Sequence, residues 1–221
     1  MKRFFIIILI IFLPLYSLLK SVEINTFNKN LYLKSYDKHN ITEITGKSMG
    51  ELDNITQVIF QYLKEGLKGQ VLEPYFNSRE IAHMEDVKYL FKYGFILKYV
   101  SFVLSLLSIM MIFIYKIGKP IGKGLFYGIF IWWGFFLLLF LLSLMDFTKY
   151  FTYFHLIFFN NDLWLLDPKT DLLIQMLPEE FFIEIFKRIV LLFMSFLAII
   201  QTIGLILMRK VKNCNGRTFR F

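Results

Sequence analysis

GLFYGIFIWWGFFLLLFLLSLM, residues Gly124 to Met145, holds no formally charged side chain. About 20 such residues in a helix cross the hydrocarbon core of a bilayer. A spanning helix also satisfies its own backbone amides where no water can. The flanks turn abruptly to charge, with Lys123 before the run and Asp146 after it. Working outward, three more runs meet the same test: Phe4 to Leu19, Gly94 to Tyr115, and Phe182 to Met208. The last begins as a charged interfacial turn (Glu184, Lys187, Arg188) and becomes apolar from Ile189. Pro14 inside the first run bends a helix without ending it, because neighbouring helices can satisfy the carbonyl that proline frees.

The composition agrees. Of 221 residues, 57% are hydrophobic and 19% aromatic, which is too apolar for an ordinary soluble domain. A net charge of +8 can signal nucleic-acid binding, but a chain this apolar spends its basic residues on membrane orientation, and no nucleic-acid partner is expected. A single cysteine, Cys214, rules out an internal disulfide framework, a CxxC redox pair and a cysteine-rich metal site.

Lys and Arg are retained on the cytoplasmic side of bacterial-type membranes, so their distribution sets the topology. Lys2 and Arg3, then Lys116, Lys119 and Lys123, then Arg209, Lys210, Lys212, Arg217 and Arg220 lie in three segments that contain no acid. Both termini and the loop 116–123 are therefore assigned to the cytoplasm. Segments 20–93 and 146–181 balance or invert the charge and are assigned to the outside. The first run is read as an uncleaved anchor, because Leu18-Leu19-Lys20-Ser21-Val22 lacks the small residues of a signal-peptide cleavage site. The expectation is one membrane domain: spans at 4–19, 94–115, 124–145 and 182–208, an outer cap 20–93, a cytoplasmic loop 116–123, an outer segment 146–181 and a cytoplasmic tail 209–221.

The cap reads as a small mixed α+β unit. Lys29 to Tyr36 alternates Leu31 and Leu33 with polar neighbours, the pattern of a half-buried strand. Ser48 to Glu65 places Leu52, Ile55, Ile59, Tyr62 and Leu63 at helical spacing and stops at Gly66. Asn77 and Glu80 form a capping-box pair at the start of a helix that continues into the second span. In the second outer segment, Asp167-Pro168-Lys169-Thr170 has the chemistry of a hairpin turn between two apolar stretches.

Two of the three histidines share a physical setting. His83 lies on one helical face with Val87, Leu90, Phe91 and Gly94, and His155 with Phe151, Phe154, Phe158 and Phe159. By the topology, both approach one membrane boundary. A lone buried histidine is usually structural, but two ionisable groups at one interfacial depth point to function. Asp86, at i+3 from His83, is placed to accept from that ring and fix its tautomer. Asn161 and Trp164 follow His155 closely and are read as a donor and an aromatic wall, or else as a turn former and an interfacial anchor. His39, in a polar loop, reads as solvated. No His-Glu-x-x-His, Gly-x-Ser-x-Gly or phosphate-binding glycine loop occurs, the glycines of 118–124 lacking the Lys-Ser/Thr ending. No metal and no cofactor are expected. Two rival readings stay open: a metal-dependent hydrolase of membrane lipids or peptides, and a non-catalytic sensor or accessory subunit.

The pattern Ala82-His83-Met84-Glu85-Asp86-Val87 before the second span, followed by Phe154-His155-x-x-Phe158-Phe159-Asn160-x-Asp162-x-Trp164-x-Leu166-Asp167-Pro168-x-Thr170-Asp171-Leu172-Leu173-Ile174 and Met176-x-Pro178-Glu179, resembles the DUF1461 family of bacterial integral membrane proteins, which includes lipoprotein intramolecular transacylases. The resemblance runs through nearly the whole chain. It implies a multi-pass protein of the bacterial cytoplasmic membrane, expected as a monomer among membrane lipids, with its site toward the outer leaflet. It further implies an enzyme that moves the sn-2 acyl chain of a diacylated lipoprotein onto the α-amino group of the same molecule's N-terminal cysteine, giving the lyso form. His83 and His155 are then the catalytic pair, with Asp86, Asn161 and Trp164 in support. The reaction is intramolecular, so a protein nucleophile is not required.

Overall fold

The structure, a computed structural model, describes residues 2–115 and 119–216, and all regular structure among them is helical. Lys116, Arg217 and Arg220, on which part of the charge asymmetry rests, lie outside the described residues. Ten α-helices follow in order: α1 Lys2–Thr26, α2 Lys29–Lys38, α3 Ile41–Thr45, α4 Met49–Glu65, α5 Ser78–Ile114, α6 Lys119–Gly128, α7 Phe130–Met145, α8 Phe147–Phe158, α9 Leu172–Met176 and α10 Glu179–Gly216. Four stretches are long and apolar enough to cross a membrane: Arg3–Thr26, Ser78–Ile114, Pro120–Met145 (α6 with α7) and Glu179–Arg209.

The chain divides into two compact units. The first comprises residues 1–22, 96–141 and 189–221, with a core of Ile6, Leu9, Ile112, Leu125, Ile129, Phe136, Phe193, Leu197 and Ile200. Two features show how its sequence permits close packing. The ring of Pro14 deletes the amide that would bond the Ile10 carbonyl one turn back. Trp132 supplies the donor instead, its Nε1–H reaching the Ile10 oxygen at 3.0 Å. The second feature is a backbone crossing of α6 with α10. A Cβ on Gly122 would lie 2.7 Å from the Met208 amide nitrogen, and one on Gly204 would lie 2.7 Å from that of Phe126. Only glycine allows this approach, the usual device by which membrane helices meet. Gly122 therefore belongs to a packed helix, where the sequence suggested a loop over 116–123.

The second unit comprises residues 23–95 and 142–188. Its core gathers Tyr32, Tyr36, Ile41, Leu52, Ile55, Ile59, Tyr62, Leu63, Leu72, Phe76, Met84, Leu173, Met176 and Phe181. The mixed α+β cap is corrected here, for the expected strand over 29–36 is helix α2. Its buried residues are Tyr32, Ser35 and Tyr36, spaced i, i+3 and i+4. The tyrosines count as apolar because their hydroxyls are satisfied inside, Tyr32 donating to the Thr26 carbonyl at 2.8 Å and Tyr36 sharing a 2.7 Å hydrogen bond with Thr56. Helix α4 begins in a Ser48/Glu51 capping box and ends at Gly66 with φ of 69°, a left-handed cap that favours glycine. At Asp167–Asp171 the turn forms, with the Thr170 amide 3.1 Å from the Asp167 carbonyl, but α9 follows it and the expected hairpin strand is absent among the described residues.

Candidate active site

The site is assembled inside the second unit from the start of α5, the end of α8 and the segment that follows. Helix α5 starts as its sequence dictates: the Asn77 side chain accepts from the Glu80 amide at 3.0 Å, and the Glu80 carboxylate accepts from the Asn77 amide at 2.7 Å. The same carboxylate, on a residue only 2% exposed, also accepts from the Leu173 amide at 2.7 Å. Asn77 in turn donates to Asp171 at 2.9 Å. These bonds tie the segment carrying α9 to the first turn of α5, one turn before His83. Arg79, Glu80, Glu85, Asp86, Lys88 and Lys92 crowd residues 78–93, so His83 lies outside the mainly apolar stretch of α5 that begins at Gly94.

His83 and His155 come together. Their ring centroids are 6.2 Å apart, and the residues are 8% and 7% exposed. Phe159 stands edge-on to His83 at 5.4 Å and lies 5.6 Å from His155. Phe151 meets His155 edge-on at 4.5 Å, while Trp164 stacks on its face at 4.7 Å with 25° between the planes. The face expected of α8 is half right: Phe151, His155 and Phe159 point inward, whereas Phe154 and Phe158 are 41% and 52% exposed.

Each imidazole has a defined electrostatic state. His155 Nδ1 lies 2.7 Å from the Phe151 carbonyl oxygen. A carbonyl can only accept, so Nδ1 carries the hydrogen and Nε2 of the neutral ring keeps its lone pair. Burial lowers the pKa of His155 below the usual histidine range, opposed in part by that carbonyl. Burial also pushes His83 down to about 4, assisted by neighbouring His155 and resisted by Asp86. Both rings are thus neutral near pH 7. His83 Nδ1 is buried without a hydrogen-bond partner among the described residues.

The supporting residues are present, but their wiring differs from the spacing argument. Asp86 does not bond the His83 ring; its Oδ2 accepts from the Asn161 amide at 2.9 Å. Asn161 Oδ1 accepts from the Leu163 amide at 3.1 Å, and the Asn161 carbonyl accepts from Trp164 Nε1 at 3.0 Å. Asp86, Asn161 and Trp164 therefore form one relay that sets the indole over His155. Arg79, which the sequence did not single out, fastens the same segment by donating to the Asp162 carbonyl at 2.6 Å. The only signal for it was its place in the first turn of α5. His39 is half-buried, with Nε2 enclosed and unpartnered among the described residues, and not the solvated residue expected. Among the described residues no three His, Cys, Asp or Glu side chains gather as a metal-holding group.

Fold and site together define an all-helical, four-span membrane protein with a paired-imidazole centre. The family model of the lipoprotein intramolecular transacylase Lit matches residues 7–182, and the chain belongs to that family of acyltransferases. No curated protein matches it in sequence. Among solved structures it is similar to the membrane-integral Lit from Bacillus cereus, with a TM-score of 0.86 at 23% identity over 96% of this chain and 98% of the other. Two structures of that protein with a histidine replaced, one by arginine and one by alanine, give TM-scores of 0.80 at 23% identity. They cover 97% and 96% of this chain and 95% and 96% of theirs, respectively. At that identity the likeness is one of fold.

Proposed function

We propose that the protein transfers the sn-2 acyl chain of a diacylglyceryl lipoprotein to the α-amino group of the same molecule's N-terminal cysteine, with His83 and His155 moving the protons. The amine nitrogen attacks the ester carbonyl, a C–N bond forms, and the bond from that carbon to the glycerol oxygen breaks. The proton lost by the amine ends on the glycerol oxygen, so no outside reactant is needed. His155 is suited to accept that proton, because its Nδ1–H is committed to the Phe151 carbonyl and its Nε2 lone pair is left over. His83, whose Nδ1 has no hydrogen-bond partner among the described residues, is suited to stabilise the oxyanion or to hand the proton to the leaving oxygen. The observation that carries this reading is the 6.2 Å approach of two buried, neutral imidazoles in a member of the Lit family. The one-sided distribution of Lys and Arg supports cytoplasmic termini, and with them a site facing the outer leaflet, where a lipoprotein's ester group lies.

The test is conversion of a diacylated lipopeptide to its lyso form by the purified protein in micelles, followed by mass spectrometry. Replacing either histidine by Gln is expected to lower the rate by about 10²–10⁴. A variant that converts at the wild-type rate removes that histidine from the chemistry.

A further inference from the structure

Several carboxylates of the second unit have a cationic partner: Asp53 has Lys29, Glu184 has Lys38, and Asp162 has Arg79. Asp86 differs. It is half-buried, three residues along α5 from His83, and among the described residues its one partner is the neutral amide of Asn161 on Oδ2. Nearby cations are engaged elsewhere, Arg79 with the Asp162 carbonyl and Lys88 with the Leu67 carbonyl and the Tyr62 ring. The rings packed around the two imidazoles are uncharged: the indole of Trp164, Phe151 and Phe159. A half-buried carboxylate beside an uncharged ring cluster is a place where an incoming cation can form a charge-assisted hydrogen bond.

We infer that Asp86 is the receptor for the α-ammonium group of the substrate's N-terminal residue, its Oδ1 pairing with the incoming cation while Asn161 holds Oδ2. The inference rests on the transacylase reading, which requires a free α-amine at this centre. Such an amine titrates near ~7.8 and enters mostly as the cation. A docking carboxylate one helical turn from the imidazole pair places it there, and the ammonium gives one proton to water through an imidazole before its lone pair attacks. The second proton, lost after attack, is the one that ends on the glycerol oxygen. Asp86 makes no bond to the reacting atoms, so its part is recognition and placement.

The experiment uses full-length protein in micelles and two unreactive ligands, S-(dialkylglyceryl)-cysteinyl peptides with ether chains in place of esters. One keeps the α-amine and the other has an α-hydroxyl. The wild type is expected to bind the amine roughly tenfold more tightly, as for a hydrogen bond to a charged group. D86N, whose amide oxygen can still accept from Asn161, should bind both equally. D86E should restore the preference, and E85Q, at the exposed neighbouring carboxylate, should leave it unchanged. Retained preference in D86N, or none in the wild type, overturns the assignment. Conversion of the ester substrate is followed in parallel. Lyso product with an unchanged ratio in D86N sinks Asp86 alone, whereas a wild type that makes no lyso product sinks the transacylase reading and this inference with it.

Discussion

Trp132 and Pro14 offer the sharpest check on how the membrane unit is held together. Proline at position 14 leaves the Ile10 carbonyl without its helical donor, and Trp132 Nε1 fills the vacancy at 3.0 Å. Trp132→Phe removes the donor and leaves the oxygen unsatisfied in a water-poor interior, which costs about 1–3 kcal/mol by soluble-protein experience. Hydrogen bonds between membrane helices average nearer ~0.6 kcal/mol and reach ~1.7, so about 1 kcal/mol is the working value. The smaller ring also loses packing on Phe136 at 6.3 Å and Phe193 at 6.1 Å, adding about 1 kcal/mol. In Pro14→Ala the restored amide bonds Ile10 within the helix, and Trp132→Phe should then cost only the packing part. A double-mutant cycle, with unfolding in mixed micelles followed by circular dichroism, should return a coupling of about 1 kcal/mol. Additivity within ~0.3 kcal/mol would show that the indole does not serve the proline, and that some other group satisfies Ile10.

Two further expectations are independent of this one. Gly122→Ala places a methyl 2.7 Å from the Met208 backbone nitrogen, whereas a methyl on Gly134 of α7 meets nothing within 4 Å; the first should destabilise by about 1–3 kcal/mol and the second should be neutral or mildly stabilising, read in the same unfolding assay. In a histidine-selective NMR titration, the His83 ring should stay neutral from pH 7 down to pH 5 and protonate only near the value of about 4 set by burial. The folded value lies below the unfolded one of 6.5, so below pH 6.5 the unfolded chain takes the proton first and stability falls as pH drops from there toward 4. A His83 that titrates at or above 6.5 would refute the burial argument.

What could be read from the sequence follows from range. A span is a one-dimensional property, and each of the four helical stretches long and apolar enough to cross a membrane overlaps one of the four runs. Caps are local too, so the stop at Gly66 and the Asn77/Glu80 pair read correctly. The strand over 29–36 failed because a tyrosine hydroxyl looks polar in a string of letters, and only the folded neighbours Thr26 and Thr56 make Tyr32 and Tyr36 apolar in effect. The hairpin failed for a non-local reason: Glu80 captures the Leu173 amide from α5 and holds the first turn of α9. At the site, the two histidines were legible from their apolar faces, but not the bonds that decide their roles. Asp86 had the right spacing for His83, yet Asn161, distant in sequence, takes its carboxylate. The Phe151 carbonyl that fixes His155 leaves no trace in residue type, since every residue has one.

Burial of both imidazoles has a chemical consequence under the proposed reaction. A lowered pKa makes His155 a weaker base toward the amine, which looks unfavourable until the second half of the transfer is considered. Expelling an alkoxide from the tetrahedral adduct is the harder step, since the attacking nitrogen leaves again more readily than glycerol oxygen until that nitrogen has given up its proton. The imidazolium formed on taking the amine's proton is, for the same reason of burial, a stronger acid than a solvated one, and it returns that proton readily to the departing oxygen. Within one molecule the attack is already favoured by proximity, so base strength is the property the enzyme can do without and acid strength the one it needs. The low exposure of His83 and His155 and the aromatic shell of Phe151, Phe159 and Trp164 then act on the proton's return as well as on the exclusion of water, which would otherwise compete for the ester.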